Sequence, residues 1–337
     1  MFSQGIKSNS ASPKYQQVID IIVDAIKNKR LKKGDILPSV NTTSRELNIA
    51  QGTIIKAYQE LKKRGIIDSQ QGKAFFVAHE NISNTQSIFV LVDRVTHYKE
   101  ILYNTFMDEF DRNVTIDFNF YNYDLRKFEK LILANLGYYN YYVIMPHFNE
   151  DVSPILSQIP ADKLIILNQQ VPGLTGKYAA VFQNFRKDVY ESLEKALPLI
   201  RKYRSLTLVL ESKNRFQFVP DDVIKGFREV CTNYGITFEI ADYLQTNRLR
   251  KEHAYFIISD RDLVEILKFI EDKQWQLGTE IGLIALDDTP IRGILRGGIT
   301  VISTDFRQMG LTAARLIREN SREIIENPCS LIVRKSL

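Results

Sequence analysis

Gly34-Asp35-Ile36-Leu37-Pro38-Ser39-Val40, followed at a short interval by Gln51-Gly52-Thr53-Ile54-Ile55-Lys56-Ala57-Tyr58-Gln59-Glu60-Leu61, decides the N-terminal fold. After Pro38, the Ser39 hydroxyl is placed to accept from the open N–H groups of a short helix running to about Leu47, and Asn48 suits its end. Another helix starts near Ala50 or Gln51 and stops at Gly65. Along it Ile54, Ala57, Tyr58 and Leu61 recur at helical spacing and face inward, which leaves Gln51, Gly52, Ile55, Lys56 and Lys63 on the outward face.

Upstream, Tyr15, Val18, Ile19, Ile22, Val23 and Ile26 form one apolar stripe at helical spacing, so a first helix precedes the pair, with Pro13 in its first turn and Lys33-Gly34-Asp35 ending the connection. Downstream, Ile66-Ile67-Asp68, the turn-forming Gln71-Gly72-Lys73 and the apolar Phe75-Phe76-Val77 read as a two-stranded ribbon with Gly72 at its tip. Helix, helix-turn-helix and hairpin make a winged helix-turn-helix over residues 13–78. A polar, disordered N-terminus (1–12) precedes it, and a linker (79–87) rich in Asn, Ser, Thr and Gln follows.

Charge is distributed unevenly. Residues 1–78 carry 13 Lys and Arg against 6 Asp and Glu, a net +7, whereas the remainder carries 32 against 34 and is close to neutral. A basic head is what phosphate neutralisation requires, although a solvated charged surface has the same composition. At 337 residues, 44% hydrophobic and 25% charged, the chain can build two or more cores, and it lacks the apolar run of roughly 18 residues that a bilayer demands. Its N-terminus has no secretory apolar stretch, and Cys231 and Cys329 are too few for a disulfide framework or a thiolate zinc site, so a cytoplasmic protein without membrane association is expected.

The N-terminal segments resemble the GntR type of bacterial regulator. The matching residues are Tyr15-Gln16-Gln17, Gly34 to Val40, Thr53-Ile54, Lys56 to Leu61, Gly65-Ile66-Ile67 and Gly72-Lys73, in unbroken order. The resemblance implies that the third helix enters the major groove of double-stranded DNA while the wing tip reaches toward the minor groove. It implies DNA contacts from Ser39, Asn41, Arg45, Gln51, Gly52, Thr53, Lys56, Gly72 and Lys73. Gln suits adenine, Lys and Arg suit guanine or phosphate, and Ser or Thr suit phosphate. The family commonly has Arg where Asn41 and Gln51 stand, often Arg in place of Ile55, and Gly-Thr in place of Ala74-Phe75, so a different base preference follows. Arg45 and Lys56 also read as ordinary exposed helix residues.

From residue 88 the rhythm changes. Short β-rich runs starting at Ile88, Tyr142, Leu164, Ala179, Leu206, Phe256, Ile281 and Ile299 alternate with helical stretches near Lys99, Leu125, Phe185, Asp221, Asp260 and Phe306. That alternation predicts an α/β body of doubly wound sheets in two lobes over residues 88–337. The segment Ile281 to Pro290, then Thr300-Val301-Ile302, Asp305, Met309-Gly310, Ala313-Ala314 and Leu331 to Ser336, with Lys225-Gly226-Phe227 and Gly235-Ile236 upstream, resembles LacI/GalR-type, periplasmic-binding-protein-like sugar-sensing domains. The resemblance is good over about 200–337 and rests on rhythm alone over 88–200. A GntR-type head on such a body is similar to the arabinose-repressor arrangement.

Ligands of doubly wound sheets bind beyond the carboxyl ends of the strands. Asp93-Arg94, His147, Asn168-Gln169, Asn184, Ser259-Asp260 and Asp287-Asp288 follow such runs, and their amides, carboxylates and guanidinium suit a hydroxyl-rich ligand. By resemblance Asn168, Arg215, Ser259 and Asp287 occupy sugar-contact positions, with Asp260 their neighbour. Post-strand Asp and Asn also cap helices, and Phe216, Phe218 or Trp275 could stack on a sugar or simply pack.

His79, His97, His147 and His253 show no metal-ligand spacing, and no phosphate-cradling or nucleophile motif occurs, so neither catalysis, metal nor cofactor is expected. The leading expectation is a homodimeric transcriptional regulator, a repressor, whose heads read a pseudo-palindromic operator and whose body senses a monosaccharide. Two readings stay open beside it: the same architecture sensing a purine, nucleoside or sugar phosphate, which Arg and Lys around the cleft would favour, and a carbohydrate-binding protein or enzyme with an incidental basic head.

Overall fold

A computed structural model describes residues 6, 13–63, 65–69, 74–78, 87–111, 114–210 and 219–337, the side chains at 27, 63 and 98 excepted. The wing tip with Gly72 and Lys73, the segment carrying Arg215, Phe216 and Phe218, the linker residues 79–86 and nearly all of 1–12 therefore lie outside the described residues.

The head is built from α1 (Lys14–Lys27), α2 (Val40–Leu47), α3 (Gln51–Lys63), β1 (Ile67–Ser69) and β2 (Phe75–Val77). Pro13 is the N-cap of α1 rather than part of its first turn. Ser39 caps α2 by accepting from the Thr42 N–H at 3.1 Å, and Asn48 ends it with a left-handed φ of 52°. The stripe of α1 closes over Ile54, Ala57, Tyr58 and Leu61, all fully buried. Tyr58 ties the helix pair together, its hydroxyl donating to the Pro38 carbonyl at 2.9 Å and lying 2.9 Å from Thr43 Oγ1. Pairing of β1 with β2 is antiparallel, Asp68 opposite Phe76, and the Gly34–Leu37 segment adds a bridge at Ile36 and Phe76.

The body follows in chain order. β3 (Ser87–Val92), α4 (His97–Asp108), β4 (Thr115–Phe120), α5 (Leu125–Asn135), β5 (Tyr141–Ile144), α6 (Ser153–Leu156), β6 (Leu164–Asn168) and β7 (Ala179–Phe182) build lobe 1. The chain then crosses to lobe 2 with α7 (Phe185–Lys195), α8 (Leu197–Ile200), β8 (Ser205–Val209), α9 (Asp221–Asn233), β9 (Phe238–Ala241), β10 (His253–Ile257), α10 (Asp260–Asp272), β11 (Ile281–Leu286), α11 (Pro290–Ile294) and β12 (Thr300–Thr304). It returns for α12 (Phe306–Arg318) and β13 (Ile324–Glu326) and crosses once more for β14 (Cys329–Ile332). The sheets run β13-β7-β6-β5-β3-β4 and β14-β12-β11-β10-β8-β9, parallel throughout except for β14 against β12.

Both faces of each sheet are covered, which explains the unbroken apolar strand sequences. In β3, Ile88, Val90 and Val92 pack toward α4 and α12, while Phe89 and Leu91 pack toward α5 and α6. The same alternation places Leu206 and Leu208 under α7 and α9, and Ile257 and Leu283 under α10. Sequence rhythm had marked neither β4, β9, β13 nor β14. β4 and β9 are half-buried edge strands whose Thr, Asp, Asn and Glu dilute the apolar signal. β13 spans only Ile324–Glu326. β14, Cys329–Ile332, is an edge strand without fully buried residues.

The three crossovers are bonded to one another. Asn327 donates from its backbone to the Phe182 carbonyl at 2.7 Å and from its side chain to the Asp305 carbonyl at 3.1 Å, and Gln183 bonds Thr304. Among the described residues no helix is long and apolar enough to cross a membrane.

Candidate functional site

The outward face of α3 is open to solvent: Gln51, Gly52, Ile55 and Lys56 are exposed and Thr53 is half-buried. Ser39, Asn41 and Arg45 on and before α2 are exposed beside it. These expected DNA-contacting residues are therefore accessible at the surface of the head, with α3 set by its own buried face. Lys56 has a further engagement. Its ammonium donates to the Tyr138 hydroxyl of lobe 1 at 3.1 Å and sits 4.1 Å above the Tyr15 ring. Tyr138 also packs on Tyr15 with ring centroids 5.5 Å apart. The seam needs glycine at 137, where φ is +81° and a Cβ would meet Pro13 Cδ at 2.1 Å.

Between the lobes, at the carboxyl ends of both sheets, lies an inner chamber of about 50 Å³, room for a few waters. It adjoins an outer cleft of about 770 Å³, with which it shares Gln183, Phe185 and Pro220. The larger space is lined by exposed residues such as Asn149, Asp221 and Lys225; the smaller one holds the buried polar groups, and the chemistry lies there.

Arg94, Lys99, Tyr123, His147, Asn168 and Asp287 line the chamber. Tyr123, Asn168 and Asp287 have φ of 58°, 69° and 64°, the left-handed region that costs a side-chain-bearing residue on the order of 1–3 kcal/mol and clusters at binding sites. Behind them sits a sealed network. Asp93, fully buried, accepts from Lys99, from the Tyr123 hydroxyl at 2.6 Å and from His147 Nδ1 at 3.1 Å. His147 must then accept at Nε2 from the Asn168 amide N–H, which fixes the neutral tautomer and leaves Asn168 Oδ1 buried without a partner. Arg94 Nε is likewise buried and unpartnered, and its guanidinium lies 5.8 Å from the Tyr123 ring centroid.

Burial alone would raise Asp93, but the hydrogen bonds from His147 and Lys99 and the Lys99 charge outweigh it and hold the carboxyl well below the ordinary carboxylate range. Burial pulls His147 down and keeps it neutral at pH 7, and pulls Lys99 below the usual lysine range against the attraction of Asp93. On the opposite wall burial lifts Asp287 to about 6, opposed by Arg292, Lys99 and a hydrogen bond from Thr304.

Of the ligand-contact candidates, Arg94, Asn168 and Asp287 meet at the chamber. Asp93 stands behind its wall as the network's anchor. Ser259 and Asp260 are not brought to it. Ser259 caps α10 by accepting from the Asp262 N–H at 3.1 Å, and Asp260 pairs with Arg292 at 2.7 Å. Trp275 packs on Phe269, ring centroids 5.3 Å apart, in the core of lobe 2 rather than in the cleft. Asn184 caps α7, and Asp288 pairs with Arg334 at 2.6 Å. Lys99, Tyr123 and Gln183 were missed. Lys99 lies on a helix and Tyr123 follows the unmarked strand β4, although the Asn122-Tyr123-Asp124 turn after it was visible in the sequence.

Residues 14–77 match the model of bacterial regulatory proteins of the gntR family, and residues 199–337 match that of the periplasmic binding protein-like domain. The chain is 30% identical over 103 residues to the HTH-type transcriptional repressor YtrA of Bacillus subtilis (strain 168), covering 31% of this chain and 75% of that protein. The body is similar in fold to the trehalose repressor from Escherichia coli, with a TM-score of 0.61 at 12% identity over 74% of this chain and 100% of the other. A LacI family transcriptional regulator from Lactobacillus casei, with bound glucose, gives a TM-score of 0.57 at 15% identity over 75% of this chain and 100% of its own. With its winged helix-turn-helix joined to a periplasmic-binding-protein-like body, the chain belongs to the gntR family of bacterial regulatory proteins and is a DNA-binding transcriptional regulator.

Proposed function

We propose that this regulator is a repressor released from its operator by a hydroxyl-rich small molecule of monosaccharide class, held between the lobes. The observation that carries the reading is the polar inner chamber, where Asn168 Oδ1 and Arg94 Nε are buried without partners beside a carboxyl at Asp287. Unmet buried polar groups are costly, and a bound polyol supplies the missing donors and acceptors. The fold relative from Lactobacillus casei with bound glucose supports the choice of ligand class.

Ligand drawing the lobes together about the Gln183, Thr304–Asp305 and Asn327 crossovers changes how the heads are presented, and DNA must in turn weaken ligand binding by the same factor. The protein acts as a cytoplasmic homodimer without catalytic activity, its heads (13–78) joined through the linker (79–87) to the body (88–337) and set on two half-sites of a pseudo-palindrome. Ser39, Asn41, Arg45, Gln51, Gly52, Thr53 and Lys56 are its DNA-contacting residues. Gel-shift titration of the full chain on DNA from its own promoter region, with common pentoses and hexoses added, tests this. Loss of the shifted band with one sugar is expected, and indifference to every one sinks the effector reading.

A further inference from the structure

Arg94 is the uncompensated cation of the inner chamber. Among the described residues its guanidinium has no ion pair and no hydrogen bond, only the Tyr123 ring 5.8 Å away, and its Nε is buried. The neighbouring charges are already matched. Lys99 is held by Asp93, and Arg292 on the far wall is held by Asp260 and the Leu286 carbonyl. Tyr123 is fixed beneath Arg94 by its 2.6 Å bond to Asp93 and by its left-handed backbone, so the guanidinium rests on a rigid platform. In the same chamber Asn168 Oδ1 lacks a donor, and the Asp287 carboxyl on the opposite wall, already bonded by Thr304, can accept a further one.

An occupant that satisfies all three must carry hydroxyls toward Asn168 and Asp287 and an acceptor toward Arg94. A neutral sugar hydroxyl would fill the hydrogen bond at Nε but leave the half-buried guanidinium's charge without an anionic partner. A carboxylate or phosphate matches both charge and the planar donor fork. We propose that the effector is an acidic polyol, a monosaccharide-sized molecule bearing one oxyanion, whose anionic group is received by Arg94. This rests on the effector reading above and narrows its ligand class.

The test is calorimetric titration of the full-length protein with glucuronate, gluconate, glucose 6-phosphate and ribose 5-phosphate against glucose and ribose, repeated with Arg94→Gln. Binding of at least one acid ten times or more tighter than its neutral parent is expected, weakening as salt is raised, and Arg94→Gln should remove that advantage by weakening the acid at least tenfold more than it weakens the neutral parent. Whether carboxylates or phosphates respond separates the two sources of the anion. A neutral sugar that binds as tightly as its acids, or an Arg94→Gln loss equal for both, overturns this proposal and leaves the effector reading standing. Silence from every compound in a protein that still shifts DNA overturns both.

Discussion

The two lobes repeat one strand order, yet they line the cleft in opposite ways. Each has a left-handed polar residue at the end of a central strand, Asn168 as the last residue of β6 and Asp287 just after β11. Behind Asn168, lobe 1 seals Asp93, Lys99, His147 and Tyr123 into a network in which every member fixes the next. Behind Asp287, lobe 2 offers one carboxyl whose titration has been moved to about 6 and an Arg292 occupied by backbone carbonyls and the largely exposed Asp260. Lobe 2, which carries most of the segment matched by the periplasmic binding protein-like domain, holds the adjustable group, and lobe 1 holds the preorganised wall. A fold can be kept while its binding surface is rewritten, because the sheet asks only for apolar residues and the chamber asks for particular ones.

The sharpest way to break this contrast is to remove a carboxylate from each lobe. Asp93→Asn strands the buried Lys99 ammonium and frees the His147 tautomer, so a loss of about 3–5 kcal/mol in denaturant unfolding is expected. Asp260→Asn in lobe 2, where the aspartate is 62% exposed and Arg292 keeps its carbonyl partners, should cost roughly 1 kcal/mol. Pairing Asp93→Asn with Lys99→Met should restore much of the first loss, since no unmatched charge remains. Equal costs in the two lobes would show that the lobe 1 network is not the stiff element described.

Asp287 sharpens the contrast through pH. Its folded value near 6 lies above the ordinary 3.8, so the ionised form is penalised in the native state. The penalty is full above pH 6 and fades as pH falls through 6 toward 4, and this group therefore favours folding more at pH 5 than at 7.5. Asp287→Asn should raise stability at pH 7.5 by at most about 3 kcal/mol and flatten the slope between pH 4 and 7. Thermal unfolding at the two pH values reads both, and a variant that melts earlier at pH 7.5 contradicts the assignment.

What sequence reasoning could see follows the same division. The head was legible because each constraint there is local: the Ser39 cap, the spacing of Ile54, Ala57, Tyr58 and Leu61, and the turn at Asn48 each act within a few residues. Lobe 2 was legible through a run of short motifs from Lys225 to Ser336. In lobe 1 the decisive contacts are long-range. Asp93 meets Tyr123 and His147, distant in sequence, and nothing in the spacing of those residues announces it. Choosing post-strand residues found Arg94, Asn168 and Asp287, but it also drew in Ser259 and Asn184, whose side chains cap the helices that follow.

The reading face supplies a perturbation that touches neither lobe. Gln51→Ala should weaken operator binding by about 1–3 kcal/mol in a gel shift while leaving effector titration and unfolding unchanged. Any accompanying change in effector affinity with DNA absent would mean that α3 contacts the body more extensively than through Lys56.

The smallest expected effect tests whether the head leans on the stiff lobe. Lys56 is bonded to the Tyr138 hydroxyl at 3.1 Å, and on the proposed function it would have to leave that partner to engage DNA fully. Tyr138→Phe keeps the ring that packs on Tyr15 but deletes the oxygen, so the ammonium loses a partner that competes with DNA. Operator binding should then tighten by about 0.5–1 kcal/mol, the worth of one exposed hydrogen bond, with folding stability lowered by no more than the same amount. Because the competing partner belongs to lobe 1 and that lobe's cleft wall is rigid, the gain should be the same with and without effector if the seam is a passive support. If instead the gain vanishes when effector is bound, the seam itself opens with the lobes, and the 3.1 Å contact is the link through which ligand reaches the reading helix.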